Sequence, residues 1–138
     1  TQFSVATLSH LPFADQYFNW IVSVYAPILE QEFTRVLAEH GYLVTVTPGK
    51  RHLFELKEII YDSAKEHDDE KEVIKSLTLI NEQRVSYKMI LSTSEDVLNL
   101  LSMTPFAFKA SEQALEVLSQ QTKFNCQADF TIRLYQKR

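Results

Sequence analysis

Residues 20–47 read WIVSVYAPILEQEFTRVLAEHGYLVTVT. The run Trp20-Ile21-Val22-Ser23-Val24-Tyr25-Ala26 is almost continuously apolar, which predicts a strand covered on both faces in a parallel sheet, ended by Pro27. Leu29, Phe33, Val36 and Leu37 then recur at helical spacing, with Glu30, Gln31, Glu32 and Arg35 between them. Gly41 is expected to close that helix as its C′ residue. Tyr42-Leu43-Val44-Thr45-Val46-Thr47 is a second buried strand, stopped by Pro48-Gly49. Strand, helix and strand at this spacing form one β-α-β unit.

The same logic extends outward. Residues 3–7 are a short apolar, β-rich run, expected to be a strand before a proline loop at 11–15. After Gly49, the residues Leu53, Leu56, Ile59, Ile60 and Ala64 fit one face of a helix. The charge run at 65–72 reads as a solvated helix end or loop. Residues 84–91 alternate as a half-buried strand, 94–101 and 111–118 form helices, and 124–136 form a last strand with Phe130, Ile132 and Leu134 on one face. The expected class is α/β, a doubly wound sheet with ligands outside the carboxyl ends of its strands.

Composition narrows the function. The chain has 138 residues, 45% hydrophobic and 23% charged, which suits one domain or part of one. Its two glycines, Gly41 and Gly49, cannot spell a dinucleotide fingerprint or a phosphate loop. The single Cys126 excludes an intrachain disulfide and a cysteine-rich zinc site, and it reads as a cytoplasmic chain. A net charge of −4 gives no electrostatic help toward nucleic acid. Neither a membrane-spanning stretch nor a signal peptide is visible. Thr1, standing directly before a strand-like run, reads as a cut rather than a natural start.

Specific motifs then point to a family. Leu11-Pro12-Phe13-Ala14-Asp15 followed by Phe18-Asn19-Trp20-Ile21-Val22 resembles the L-P-F-x-D-x-x-F-D-x-I stretch of class I methyltransferases that use S-adenosylmethionine. Glu32-Phe33-Thr34-Arg35-Val36-Leu37 with Gly41-Tyr42-Leu43-Val44 is similar to a second segment of that superfamily. More particular are Tyr25-Ala26-Pro27, residues 47–57 (TPGKRHLFELK), residues 103–108 (MTPFAF) and residues 124–130 (FNCQADF). Together these resemble the bacterial 23S ribosomal RNA guanine-N1 methyltransferases across essentially the whole chain. The resemblance implies a longer enzyme with an N-terminal zinc module for RNA recognition and a glycine-rich cofactor loop. This chain then corresponds to the C-terminal part, a partial Rossmann-like sheet without its first strands. Asn19, where relatives carry aspartate, and Thr7, where many carry an acid, depart from the pattern on the adenine side.

The resemblance also assigns candidate residues. It carries S-adenosylmethionine contact onto His52, the histidine of T-P-G-x-x-H, and a lining of cofactor or target base onto Tyr25 and Ala26. Catalytic residues are not identified, because methyl transfer depends chiefly on alignment and guanine N1 needs only some group to take its proton. Lys50 and Arg51 are candidates for RNA phosphate, and Phe106 and Phe108 for stacking a flipped guanine, against readings as solvated charge and core packing. Cys126 with Asn125 and Asp129 is either a polar cluster or, for the cysteine, a small buried hydrophobe. His10, His40 and His67 lack metal-ligand spacing and read as surface or loop residues. The sheet edge left by absent strands predicts a homodimer. Two other readings stay open: a non-catalytic interaction domain on this scaffold, and a methyltransferase of small molecules.

Overall fold

A computed structural model describes residues 1–67 and 73–138, so part of the charge run, residues 68–72, lies outside the described residues. Strands β1 (Phe18–Val24), β2 (Leu37–Pro48), β3 (Leu77–Leu91) and β4 (Phe124–Lys137) make one sheet in the order β1-β2-β4-β3. Helices α1 (Glu30–Val36), α2 (Phe54–Ile60), α3 (Ser94–Ser102) and α4 (Glu112–Ser119) connect them, with a 3-10 turn at Pro105–Lys109. This is an α/β fold on a four-stranded sheet, the class that the sequence predicts. The chain divides into two units: 1–47 with 70–84 and 131–138, and 48–69 with 85–130.

In the first unit β1 and β2 run parallel, with Trp20 opposite Tyr42 and Val24 opposite Val46. The core joins Phe33 of α1 to Leu37, Leu43, Ile74, Leu77 and Tyr135. Only one face of β1 is covered. Trp20, Val22 and Val24 are each more than half exposed, which corrects the expectation of a strand buried on both faces. A parallel strand reads as a continuous apolar run when helices cover both its sides, and α1 faces only the side of Leu37 and Leu43. Residues 3–7 form no strand either; Phe3 and Val5 are exposed and Thr7 makes one isolated bridge to His10. A short strand needs a neighbour to satisfy its backbone, and none pairs with it among the described residues.

The segment 11–15 is tied to α1 by two side chains. The Arg35 guanidinium donates to the carbonyls of Phe13 (2.8 Å) and Leu11 (3.1 Å), to Asp15 Oδ1 (2.7 Å) and to Glu32 Oε1 (2.6 Å). Glu32 Oε1 in turn accepts from the Leu11 N–H at 2.7 Å. The hydrogen bonds from Arg35 and from the Leu11 amide hold the Glu32 carboxyl down to about 2. Two motifs separated in sequence are thus one hydrogen-bonded unit.

Helix α1 passes into β2 with no intervening residue; Leu37 is at once its C-cap and the first residue of the strand. Gly41 is therefore not a C′ residue but an interior residue of β2, and its φ is not positive. It is required by space: an added Cβ would stand 2.8 Å from the Ala38 carbonyl oxygen and 3.1 Å from that of Asn19. The left-handed turn falls on His40 instead, at φ 63°.

In the second unit Leu53, Leu56, Val97, Leu101, Leu118, Phe124 and Cys126 make a separate core. Helix α3 starts on a capping box in which Thr93 accepts from the Asp96 N–H and Asp96 accepts from the Thr93 N–H. Helix α4 starts on Ser111, which accepts from the Ala114 N–H. Strand β4 changes its buried face partway. Phe124, Cys126 and Ala128 are buried, then Asp129, Thr131, Arg133 and Tyr135, while Phe130, Ile132 and Leu134 are only half-buried. The polar side of the last strand is its more enclosed side.

Candidate functional site

The turn 48–52 is fastened to β4 at one residue, Asp129, which is fully buried. The Gly49 N–H donates to the Asp129 carbonyl at 2.8 Å. The Arg51 N–H donates to the Asp129 carboxylate at 3.0 Å. The Asp129 N–H donates to His52 Nδ1 at 3.2 Å. A Cβ on Gly49 would come within 2.5 Å of the Asp129 carboxyl carbon, so glycine serves here to let the carboxylate seat against the turn. Leu53, at φ 53°, redirects the chain into α2 and donates its N–H to the Gln127 carbonyl at 2.8 Å.

His52 stands just ahead of α2, and a main-chain N–H on its Nδ1 fixes that nitrogen as the acceptor. The neutral imidazole then carries its proton on Nε2. Burial is the main cause that pushes the His52 pKa below the ordinary histidine value; His67 and Lys57 add to it, and Asp129 opposes them. The ring lies 4.8 Å from Phe130 and 6.5 Å from His67, and Phe130 is 6.4 Å from Tyr87. His67 is a loop residue as expected, though half-buried, and its N–H donates to the Lys50 carbonyl.

Tyr25 and Ala26 follow the carboxyl end of β1 in the other unit and are exposed. Tyr25 itself turns the chain, with φ 54° and an N–H bond to the Val46 carbonyl at 3.0 Å, so the strand ends before Pro27 rather than at it. A left-handed tyrosine is an uncommon and costly conformation, of the kind found at ligand-binding sites. Asn19 and Thr7 are both exposed.

The remaining candidates divide clearly. Arg51 stacks on Phe54 at 4.0 Å and lies 3.8 Å from Glu55 and 3.5 Å from Glu66, so its charge is engaged within its own unit. Phe106 packs against the core and edge-on to Tyr61, whereas Phe108 is almost fully exposed. Cys126 is buried among apolar side chains, which push its thiol up to about 11, and Asn125 is exposed. The polar side chain that bears on it is Glu55, not Asn125 or Asp129. Asp129 belongs instead to the His52 turn, a role the sequence reading missed. The one hint in the sequence was an acid inside a strand, which needs donors that the sequence does not name. No group of three or more metal-ligating side chains occurs among the described residues, and no helix there is long and apolar enough to cross a membrane.

Comparison with known proteins agrees with this architecture. No protein-family profile matches the chain. It is 25% identical over 138 residues to "Putative 23S rRNA (guanine-N(1)-)-methyltransferase YxjB" of Bacillus subtilis, covering 97% of this chain and 49% of that protein. It is 34% identical over 105 residues to "Putative 23S rRNA (guanine-N(1)-)-methyltransferase" of Micromonospora griseorubida, covering 74% of this chain and 36% of that protein. The chain thus spans half or less of the length of the curated relatives it matches. Among solved structures, a "putative methyltransferase" of Bacillus halodurans superposes with a TM-score of 0.53 at 12% identity, over 96% of this chain and 69% of that one. The YcgJ protein of Bacillus subtilis gives 0.52 at 16% identity, again over 96% and 69%. The chain carries the class I methyltransferase fold and is a sequence relative of proteins named for guanine-N1 methylation of 23S rRNA.

Proposed function

We propose that the chain is part of an S-adenosylmethionine-dependent methyltransferase that acts on guanine N1 of 23S rRNA in the cytoplasm. The observation that carries this reading is the alignment of nearly the whole chain, 97%, with a relative named for that reaction. The chain supplies the later strands of the methyltransferase sheet; a zinc module and a glycine-rich cofactor loop belong to the rest of the protein. The shares of 49% and 36% of the relatives' lengths leave room for both.

The residues present suit the cofactor in kind. S-adenosylmethionine supplies an electrophilic methyl on a positively charged sulfur. Tyr25 and Ala26 offer an exposed aromatic ring and a small neighbour at a strand's carboxyl end, where ligands bind in this topology. An aromatic face attracts a cation. His52, with Nδ1 occupied as an acceptor, brings a neutral imidazole rather than a repelling charge. In our assignment, as the resemblance implies, His52 contacts the cofactor and Tyr25 and Ala26 line the cofactor or the target base, while alignment of N1 with the methyl does most of the catalytic work. The N1 proton leaves to a base or water.

The test uses the full-length protein that contains this sequence, with 23S rRNA transcript and labelled cofactor. We expect label in RNA and one strong reverse-transcription stop at a guanine, because a methyl on N1 blocks pairing. Label entering only small molecules, or none entering the RNA, overturns the reading. Calorimetry on the 138-residue chain alone is expected to show no tight cofactor binding.

A further inference from the structure

We propose that Asp129 is a positioning residue, which clamps the 48–52 turn onto β4 and thereby sets the direction of the His52 imidazole. All three polar parts of Asp129 are committed to this turn: its carbonyl to Gly49, its carboxylate to the Arg51 N–H, and its N–H to His52 Nδ1. The carboxylate is fully buried against Gly49, where no larger residue leaves room for it. An acid buried at this depth is tolerated only when donors hold it. The donors here come from the very loop whose last residue is His52, so the clamp and the imidazole move together. His67 and Lys57 also lie close enough to His52 to bear on its charge.

The consequence for function rests on the proposal that His52 touches the cofactor. Holding a ring in one orientation lowers the entropy lost when a ligand binds to it. Asp129 then contributes to cofactor affinity without touching the cofactor.

The test has two arms. In the chain itself, nuclear Overhauser contacts between the His52 and Phe130 rings, 4.8 Å apart, report the orientation of His52. The Tyr87–Phe130 contact at 6.4 Å reports whether Phe130 has stayed in place. Asp129→Asn keeps an acceptor for the Arg51 N–H and should retain both contacts. Asp129→Ala should lose the first and keep the second. Gly49→Ala forces the carboxylate out from the other side and should reproduce the loss. In the Asp129→Ala background the same Gly49→Ala change should do far less harm, because the overlapping group is gone. Retention of the His52–Phe130 contact in Asp129→Ala, or loss of both contacts, overturns the proposal.

In the full-length protein, Asp129→Ala is expected to raise KM for S-adenosylmethionine roughly three- to tenfold with kcat little changed, the scale of one hydrogen bond. It should add nothing to His52→Ala. Additive losses in the double variant overturn the clamp. If the NMR result holds while His52→Ala leaves KM unchanged, the cofactor role of His52 fails and the clamp stands.

Discussion

Thr45 offers a sharp test of the packing in the first unit. It is 1% exposed in β2, opposite the buried Ser23 of β1, and its hydroxyl meets no hydrogen-bond partner among the described residues. Burying a hydroxyl without a partner costs about 1–3 kcal/mol in proteins. Thr45→Val keeps the branched shape and β preference while replacing the oxygen with a methyl group. We therefore expect a gain of roughly 1–2 kcal/mol, equivalent to about 3–5 °C in Tm for each kcal/mol at this chain length. Thr45→Ser keeps the hydroxyl and loses the methyl, so it should destabilise by about 1 kcal/mol. Urea unfolding followed by Trp20 fluorescence reports this unit directly, since the single tryptophan lies in β1 and stacks on Tyr42 of β2 at 4.6 Å. A loss of about 1 kcal/mol or more in Thr45→Val, with an unchanged m-value, would show that the hydroxyl is bonded and refute the reasoning.

Three further outcomes follow. The Arg133–Glu82 pair, at 2.7 Å with side chains 6% and 38% exposed, should respond asymmetrically: Glu82→Gln strands a buried guanidinium and costs about 3 kcal/mol, whereas Arg133→Met leaves a carboxylate that water can reach and costs about 1 kcal/mol; equal losses in denaturant titrations would contradict this. Cys126, its thiol pushed up to about 11 by burial, stays almost wholly protonated at pH 8 and should react with a thiol reagent only after unfolding; fast labelling of the native chain would contradict the buried placement. Strand β1 stands at the end of the sheet order and its seven residues FNWIVSV carry no charge, so we expect self-association that Val22→Lys reduces; light scattering showing a monodisperse wild-type monomer would rule it out.

The element order was legible in the sequence because hydrophobic spacing is a local property. The helical spacing of Phe33 and Val36 and the apolar run at 42–47 both survive in the fold, whereas Leu29 stands exposed just ahead of the helix. What sequence could not show was which sides are covered, because that depends on residues far along the chain. Thus β1 reads as buried on both faces and is open on one. Residues 3–7 have the composition of a strand, yet among the described residues only Thr7 pairs, in an isolated bridge to His10. Gly41 and Gly49 both look like turn glycines, yet each is set by a distant backbone or carboxylate that would strike a Cβ. The candidate site was legible at His52 through its motif and illegible at Asp129, whose partners lie 77 and 78 positions away. Cys126 drew notice through its chemistry, though it packs in the apolar core with the Glu55 carboxylate beside it.

The direct passage from α1 into β2 at Leu37 leaves the four residues 38–41 to set the phase of the strand. From Gly41 onward side chains alternate along β2, so the irregular stretch 38–41, where the pairing with β1 shifts register and His40 is left-handed, decides that Leu43 and Thr45 face inward and not Tyr42 and Val44. Arg35 fixes the other end of this ruler by its bonds to Leu11 and Phe13. The stretch from Glu32 to Gly41 is therefore held in length as well as in composition at Glu32, Arg35 and Gly41. A relative with a gap there must have rebuilt its sheet around it.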